Sequence, residues 1–137
     1  MYTLDTKKQQ HLWKKTALCY LGISVFCVMF TIIYESFSYG ESSTTMRLMF
    51  LFPLIGGTLP SLFFSFKPLK YQPSRRSYNL WNSGIAILTN GCVIKGIINI
   101  SGRFTDYDRI YWGLGICFLL ASVLFYFIDV GKLVKAR

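Results

Sequence analysis

Four stretches of this chain are apolar over the thickness of a lipid bilayer and nearly free of charge, and no other feature constrains its fold as strongly. A helix rises 1.5 Å per residue, so about 20 apolar residues cross a hydrocarbon core about 30 Å thick. The stretches run over 16–33, 48–66, 80–100 and 110–128, and only the third carries a charge, Lys95. They take up most of the 137 residues. The connectors are too short for a further domain. The expectation is an all-α fold, an integral membrane four-helix bundle forming a single domain over 1–137.

A soluble bundle would show polar faces at a 3.6-residue period, and the first, second and fourth stretches have none of consequence. Lys14 and Lys15 ahead of the first stretch are arranged as in a secretory signal. The small-x-small pattern downstream at Ser36-Phe37-Ser38 is a poor cleavage site, so the first stretch is expected to be retained.

Charge is scarce, at 15% of residues against about 25% in soluble domains. The net charge is nevertheless +9, and the basic residues sort by connector. Lys7, Lys8, Lys14 and Lys15 precede the first stretch. Lys67, Lys70, Arg75 and Arg76 lie between the second and third, and Lys132, Lys135 and Arg137 follow the fourth. The alternate side holds Arg47, Arg103 and Arg109, together with Glu35, Glu41, Asp106 and Asp108. By the positive-inside rule both termini and the middle connector are cytoplasmic, which an even number of spans requires. The basic residues then face an anionic leaflet, where each contributes about 1 kcal/mol of attraction. The expected partner is the lipid bilayer and not nucleic acid. Trp13, Tyr20, Tyr34, Tyr71, Trp81, Tyr111 and Trp112 fall near the expected span ends, where amphipathic rings anchor in the headgroup region.

The residue types that carry most chemistry are missing from the spans. Cys19, Cys27, Cys92 and Cys117 lie within them without C-x-x-C spacing and read as small packing residues. The single histidine, His11, has no Cys or His cluster, so no metal site is expected. A proton-coupled exporter needs a carboxylate at membrane depth, and an aspartyl membrane peptidase needs two. The spans hold neither. The reading is therefore not an enzyme, with no catalytic residue and no cofactor.

Two spans have texture. In the third, Asn82, Ser83, Ala86, Thr89, Asn90 and Gly96 share one broad arc, with Asn82, Thr89 and Gly96 at heptad spacing. Small residues admit close helix approach, and Asn or Thr hydrogen-bond across a helix interface, so the arc reads as a packing face or a pore lining. Lys95 lies nearly opposite, on a stripe with Gly84 and Gly91. It either snorkels to the outer interface or pairs with an outer carboxylate such as Glu35, Asp106 or Asp108. In the second span, Pro53 and Pro60 bracket Gly56 and Gly57. Each proline removes a backbone donor, so a kink or unwound turn is expected, packed against the small residues of the third span. The run Ser42-Ser43-Thr44-Thr45 is placed to cap the start of the second span.

Two segments carry a resemblance. Tyr34-Glu-Ser-Phe-Ser-Tyr-Gly40, running on to Phe52-Pro-Leu-Ile-Gly-Gly57, is similar to a pattern in small four-span proteins of low-GC Gram-positive bacteria. Asn79-Leu-Trp-Asn-Ser-Gly-Ile-Ala-Ile-Leu-Thr89, with Gly96 beyond it, resembles the third span of the same group. The resemblance implies a multi-pass protein of the bacterial cytoplasmic membrane and carries no catalytic or ligand residue with it. The functional expectation is an accessory or regulatory subunit, or a self-associating homo-oligomer, working through helix–helix contacts. The alternative is an oligomeric channel or facilitator for an ion or small polar solute, lined by Asn82, Thr89 and Asn90 beside Gly56 and Gly57. A third class, an enzyme acting on lipid, would need Asp106 or Asp108 as an interfacial base.

Overall fold

The computed structural model describes residues 2–66, 73–104 and 106–136, with side chains from Lys7 onward. Lys67, Lys70, Tyr71 and Arg137, which entered the charge and aromatic readings, lie outside the described residues. The fold is all-α. Helix α1 spans Tyr2–Phe37 and α2 spans Thr44–Leu48. A π-helical segment, Phe52–Thr58, runs into α3, Leu59–Phe66. Helices α4, Arg75–Ile100, and α5, Asp108–Lys135, complete the chain. Four helical stretches, Lys7–Phe37, Thr44–Phe66, Arg75–Ile100 and Asp108–Lys135, are long and apolar enough to cross a membrane. These contain the four stretches read from the sequence. The second is composite, made of α2, the π-helical segment and α3.

The π-helical segment is where the prolines act. Pro60 has no N–H to donate to the Gly56 carbonyl four residues back, so α-helical pairing fails there. The chain instead widens by one residue per turn. The Leu59 N–H bonds the Leu54 carbonyl, and the Thr58 hydroxyl approaches the Pro53 carbonyl at 3.5 Å, both five residues back. The expected break in the second span thus takes the form of a wide turn, still hydrogen-bonded.

The ends of α4 follow local rules. The Ser74 hydroxyl accepts from the Ser77 N–H at 3.3 Å, satisfying one orphan donor at the helix start. At the other end Gly102 adopts φ +72°, Arg103 N–H bonds the Ile98 carbonyl and Gly102 N–H bonds the Asn99 carbonyl. This is a Schellman ending, which a side chain at Gly102 would strain. The expected Ser/Thr cap on the second span does not form. Ser43 holds the capping position with extended backbone, yet its buried hydroxyl has no hydrogen-bond partner among the described residues. Its carbonyl, not its side chain, receives the Met46 and Arg47 N–H groups.

The most extensive pairing is between α4 and α5, followed by α1 with α3 and with the π-helical segment. The second-span elements also pack on α4, through α2 and the π-helical segment. Cys27, Met49 and Cys92 form a small buried cluster, with Phe30, Phe52 and Trp112 packed around it. Cys19 and Cys117 are exposed. The burial pattern is inverted relative to a water-soluble bundle. The buried residues of α5 are Asp108, Gly115 and Ser122, while Leu120, Leu124 and Phe127 face outward. Ser24, Thr31, Ser61 and Ser77 are buried on other elements. In a bilayer, hydrocarbon side chains gain nothing by turning inward, whereas small and hydroxyl residues gain close contact and hydrogen bonds. With the four apolar helices, this pattern suggests a multi-pass membrane protein.

Candidate functional site

The two ends of the bundle differ in chemistry. At one end Trp13 of α1 meets Phe64 of α3 at 5.1 Å between ring centroids, and Tyr78 of α4 edge-on at 5.6 Å. At the other, ion pairs join neighbouring elements. Arg47 holds Glu35 through two hydrogen bonds, of 2.8 and 3.2 Å. Lys95 Nζ donates to Asp108 Oδ2 at 2.6 Å. Of the three carboxylates considered for Lys95, Asp108 is the partner. Glu35 is engaged by Arg47, and Asp106 faces Arg109 at 3.6 Å.

Lys95 closes one end of a ladder between α4 and α5. At the opposite end, the Ser77 hydroxyl donates to the Ser122 carbonyl at 2.8 Å and the Ser122 hydroxyl donates back to the Ser77 carbonyl at 2.6 Å. Between them, a Cβ at Gly84 would stand 2.9 Å from Leu119 and 3.1 Å from the Gly115 carbonyl, and one at Gly115 would stand 2.5 Å from Leu88. A Cβ at Gly91 would meet Tyr111 at 2.7 Å. Ser77, Gly84 and Gly91 recur every seven residues on α4, and Asp108, Gly115 and Ser122 do so on α5. A seven-residue repeat keeps one seam facing its partner when two helices coil gently around each other. The α5 half of this ladder was missed in reading the sequence. Its signal was present in the matching heptads, masked by the apolar residues around them.

The arc read as a packing face or pore lining divides in three. Ser83, Ala86 and Asn90 are exposed on the outside of α4. Asn82 is half-buried, and its side-chain oxygen accepts from the Tyr20 hydroxyl of α1. Thr89 is half-buried and bonds back to the Ile85 carbonyl at 2.8 Å. Gly96 has turned away from the others and packs on Met46, where a Cβ would stand at 2.7 Å. Gly96 lies 14 residues, about 21 Å of helix, beyond Asn82, where α2 and not α1 is the neighbour. Gly56 and Gly57 do not meet small residues of α4. A Cβ at Gly56 would meet Ile85 at 3.0 Å, and Gly57 leaves a slot for the Tyr20 ring. The space beside the two glycines is taken by the large side chains of Ile85 from α4 and Tyr20 from α1.

That widened turn helps to wall a cavity of about 220 Å³ on the aromatic side of the bundle. Trp13, Tyr20, Phe64, Tyr78, Trp81 and Tyr126 provide its rings. Its polar neighbours are largely paired with one another. Trp81 Nε1–H donates at 2.7 Å to the Gly56 carbonyl, the acceptor that Pro60 leaves without its α-helical donor. Tyr20 bonds Asn82, and Ser77 bonds Ser122. Sequence reading treated Trp81 and Tyr20 as interface anchors. The contact that gives Trp81 its second role joins residues 25 apart and has no local signature. A shallower groove of about 630 Å³ lies between α1 and α4, lined by Lys15, Thr16, Tyr20, Asn82, Thr89 and Asn90 among others.

Among the described residues, no group of three or more His, Cys, Asp or Glu side chains is placed to hold a metal ion. Comparison with family models, curated proteins and solved structures finds no match to this chain.

Proposed function

We propose that this chain is a multi-pass protein of a bacterial cytoplasmic membrane that works non-enzymatically, by self-association through the outward face of α4. The orientation with both termini inside rests on the charge asymmetry between connectors, and the bacterial setting on the resemblance of the second and third spans. Asn90 carries the functional reading. It lies mid-helix, about 15 Å of helix from Ile100 at 1.5 Å per residue. Its side chain is exposed and makes no hydrogen bond among the described residues. A carboxamide without a partner in hydrocarbon costs about 2–7 kcal/mol. It offers both donors and an acceptor, so a second copy of the same residue satisfies it. Ser83 and Ala86 lie on the same exposed face and are small enough to let two α4 helices approach.

Disulfide trapping tests this reading. Single cysteines at Ser83, Ala86 or Asn90, in a chain whose native cysteines are replaced by serine or alanine, should crosslink between copies in native membranes. Cysteines at Leu120 or Leu124 on α5 should not. Monomer at every position would rule out self-association through this face.

The groove between α1 and α4 supports a second reading, a facilitator for a small polar solute or ion, because Asn82, Thr89 and Asn90 line it together. Reconstituted protein would then pass solute across liposomes, with loss on Asn90→Leu. Liposomes as tight as protein-free ones, tested over common ions and small polar solutes, would remove it.

A further inference from the structure

We propose that the aromatic cavity is a site for an anionic amphiphile, its apolar chain inserted between α3 and α5 and its head held by the basic residues at that end of the bundle. Three observations combine, none of which enters the self-association reading.

The first is the wall. It is almost wholly apolar, and six of its polar groups are hydrogen-bonded in the Trp81–Gly56, Tyr20–Asn82 and Ser77–Ser122 pairs, beside the hydroxyls of Ser61 and Tyr78. A polar solute would find few free donors or acceptors there, whereas hydrocarbon loses nothing on entry. A dry cavity of about 150 Å³ holds benzene. The roughly 220 Å³ here accepts an acyl segment several carbons long.

The second is access. Helix α4 forms the back of the cavity, paired with α5 on one side and with the π-helical segment on the other, while α3 and α5 make no comparable pairing with each other. Pro60 of α3 and Val123 of α5 line the cavity across that seam, and Val123 is 40% exposed. An unpaired seam between α3, the last two turns of the second apolar stretch, and α5 opens sideways, where a lipid chain lies.

The third is charge. Trp13 and Pro73 line the cavity at the end where α3 finishes and α4 begins. Lys14 follows Trp13, and Arg75 and Arg76 lie just beyond Pro73. These three side chains are exposed and none forms an ion pair among the described residues. Asp129, one turn beyond Tyr126, is the carboxylate nearest in sequence to the lining residues of α5. Basic clusters beside interhelical pockets suit anionic headgroups. Apolar wall, lateral seam and basic rim together select a molecule with a hydrocarbon chain and a phosphate or carboxylate head. Either a membrane phospholipid or a free fatty acid has that chemistry.

Tryptophan fluorescence can test this. Trp112 packs on Phe52 away from the cavity, so Trp112→Phe leaves Trp13 and Trp81, both in its wall, as reporters. The full-length variant is placed in nanodiscs of phosphatidylcholine containing a few mole per cent of a lipid brominated on its acyl chain. Brominated phosphatidylglycerol should quench at about fivefold lower mole fraction than brominated phosphatidylcholine, the preference expected of one or more basic residues near an anionic head. Lys14→Gln/Arg75→Gln/Arg76→Gln alters only exposed side chains and should abolish the preference with helicity unchanged. Val123→Phe, which fills the seam, should weaken quenching by the anionic lipid. Quenching by brominated stearic acid, with the same two variant effects and no preference between the phospholipids, would support the site with a free amphiphile as its source. Equal quenching by both phospholipids with no effect of the fatty acid, or a preference undiminished in the charge variant, would overturn the proposal.

Discussion

Helix α4 carries two sets of small and polar residues, and the chain itself uses only one of them. Ser77, Gly84, Gly91 and Lys95 face α5 and are each met by a matching partner: Ser122, Gly115, Tyr111 and Asp108. Ser83, Ala86 and Asn90 are exposed, and neither Ser83 nor Asn90 has a hydrogen-bond partner among the described residues. Both sets hold similar residue types. The difference lies in the opposing helix, which for the first set brings a glycine opposite a glycine and a hydroxyl opposite a hydroxyl. Close approach in a bilayer is gained only where both surfaces permit it, because no hydrophobic force drives helices together there. The outer set is therefore either idle or matched by something outside this chain.

Substitutions separate these alternatives, and their effects on folding should fall in a definite order. Gly84→Leu should be the most damaging, since a Cβ there already stands 2.9 Å from Leu119. We expect a loss of about 3 kcal/mol, read from the midpoint of SDS-driven unfolding in mixed micelles. Trp81→Phe should cost about 1–2 kcal/mol, because it takes the indole donor away from the half-buried Gly56 carbonyl. Pro60→Ala returns a backbone N–H to that carbonyl. The Trp81→Phe/Pro60→Ala double variant should therefore recover about 1 kcal/mol relative to the sum of the single variants. Strict additivity would show that Trp81 serves only as bulk.

Ser77→Ala should cost about 0.6 kcal/mol, the typical measured size of an interhelical hydrogen bond in a membrane. The Ser122 hydroxyl keeps its own bond to the Ser77 carbonyl, which limits the loss. Asn90→Leu should move the monomer's stability by less than about 0.5 kcal/mol, as expected of a residue with no internal partner. Its association, followed by energy transfer between labelled copies in liposomes, should nevertheless collapse. Reversal of these last two results, with Asn90→Leu unfolding the monomer and leaving association intact, would place the outer set inside the fold and undo the contrast between the two faces.

Much of the fold is legible along the chain because hydrophobic length is a local property. The four spans need only a count of apolar residues, and Pro53 and Pro60 announce a backbone break wherever they fall. Lys95 was legible up to its partner. Its depth near one end of α4 limits it to the carboxylates at that end of the bundle, but the choice of Asp108 depends on α5 starting at that residue and facing α4. Other features depend on residues far apart in sequence. The arc through Asn82, Thr89 and Gly96 looks like one face on a wheel, yet different elements lie opposite it along its length, α1 bringing Tyr20 to Asn82 and α2 bringing Met46 to Gly96. Ser43 reads as a cap because of its residue type, but its backbone carbonyl receives the helix N–H groups and its buried hydroxyl has no partner among the described residues.

The sequence by itself determined that there are four apolar helices, where they break, and how charge is distributed between their ends, since each follows from residue type and spacing. Tertiary structure alone decided which face of α4 is spent inside the chain. It also decided that an indole from α4 caps the carbonyl freed by Pro60, and that α3 and α5 stand apart to leave a cavity. Those outcomes depend on the relative rotation of packed helices. In these apolar spans, many faces are chemically interchangeable, and only contact between particular residues distinguishes them.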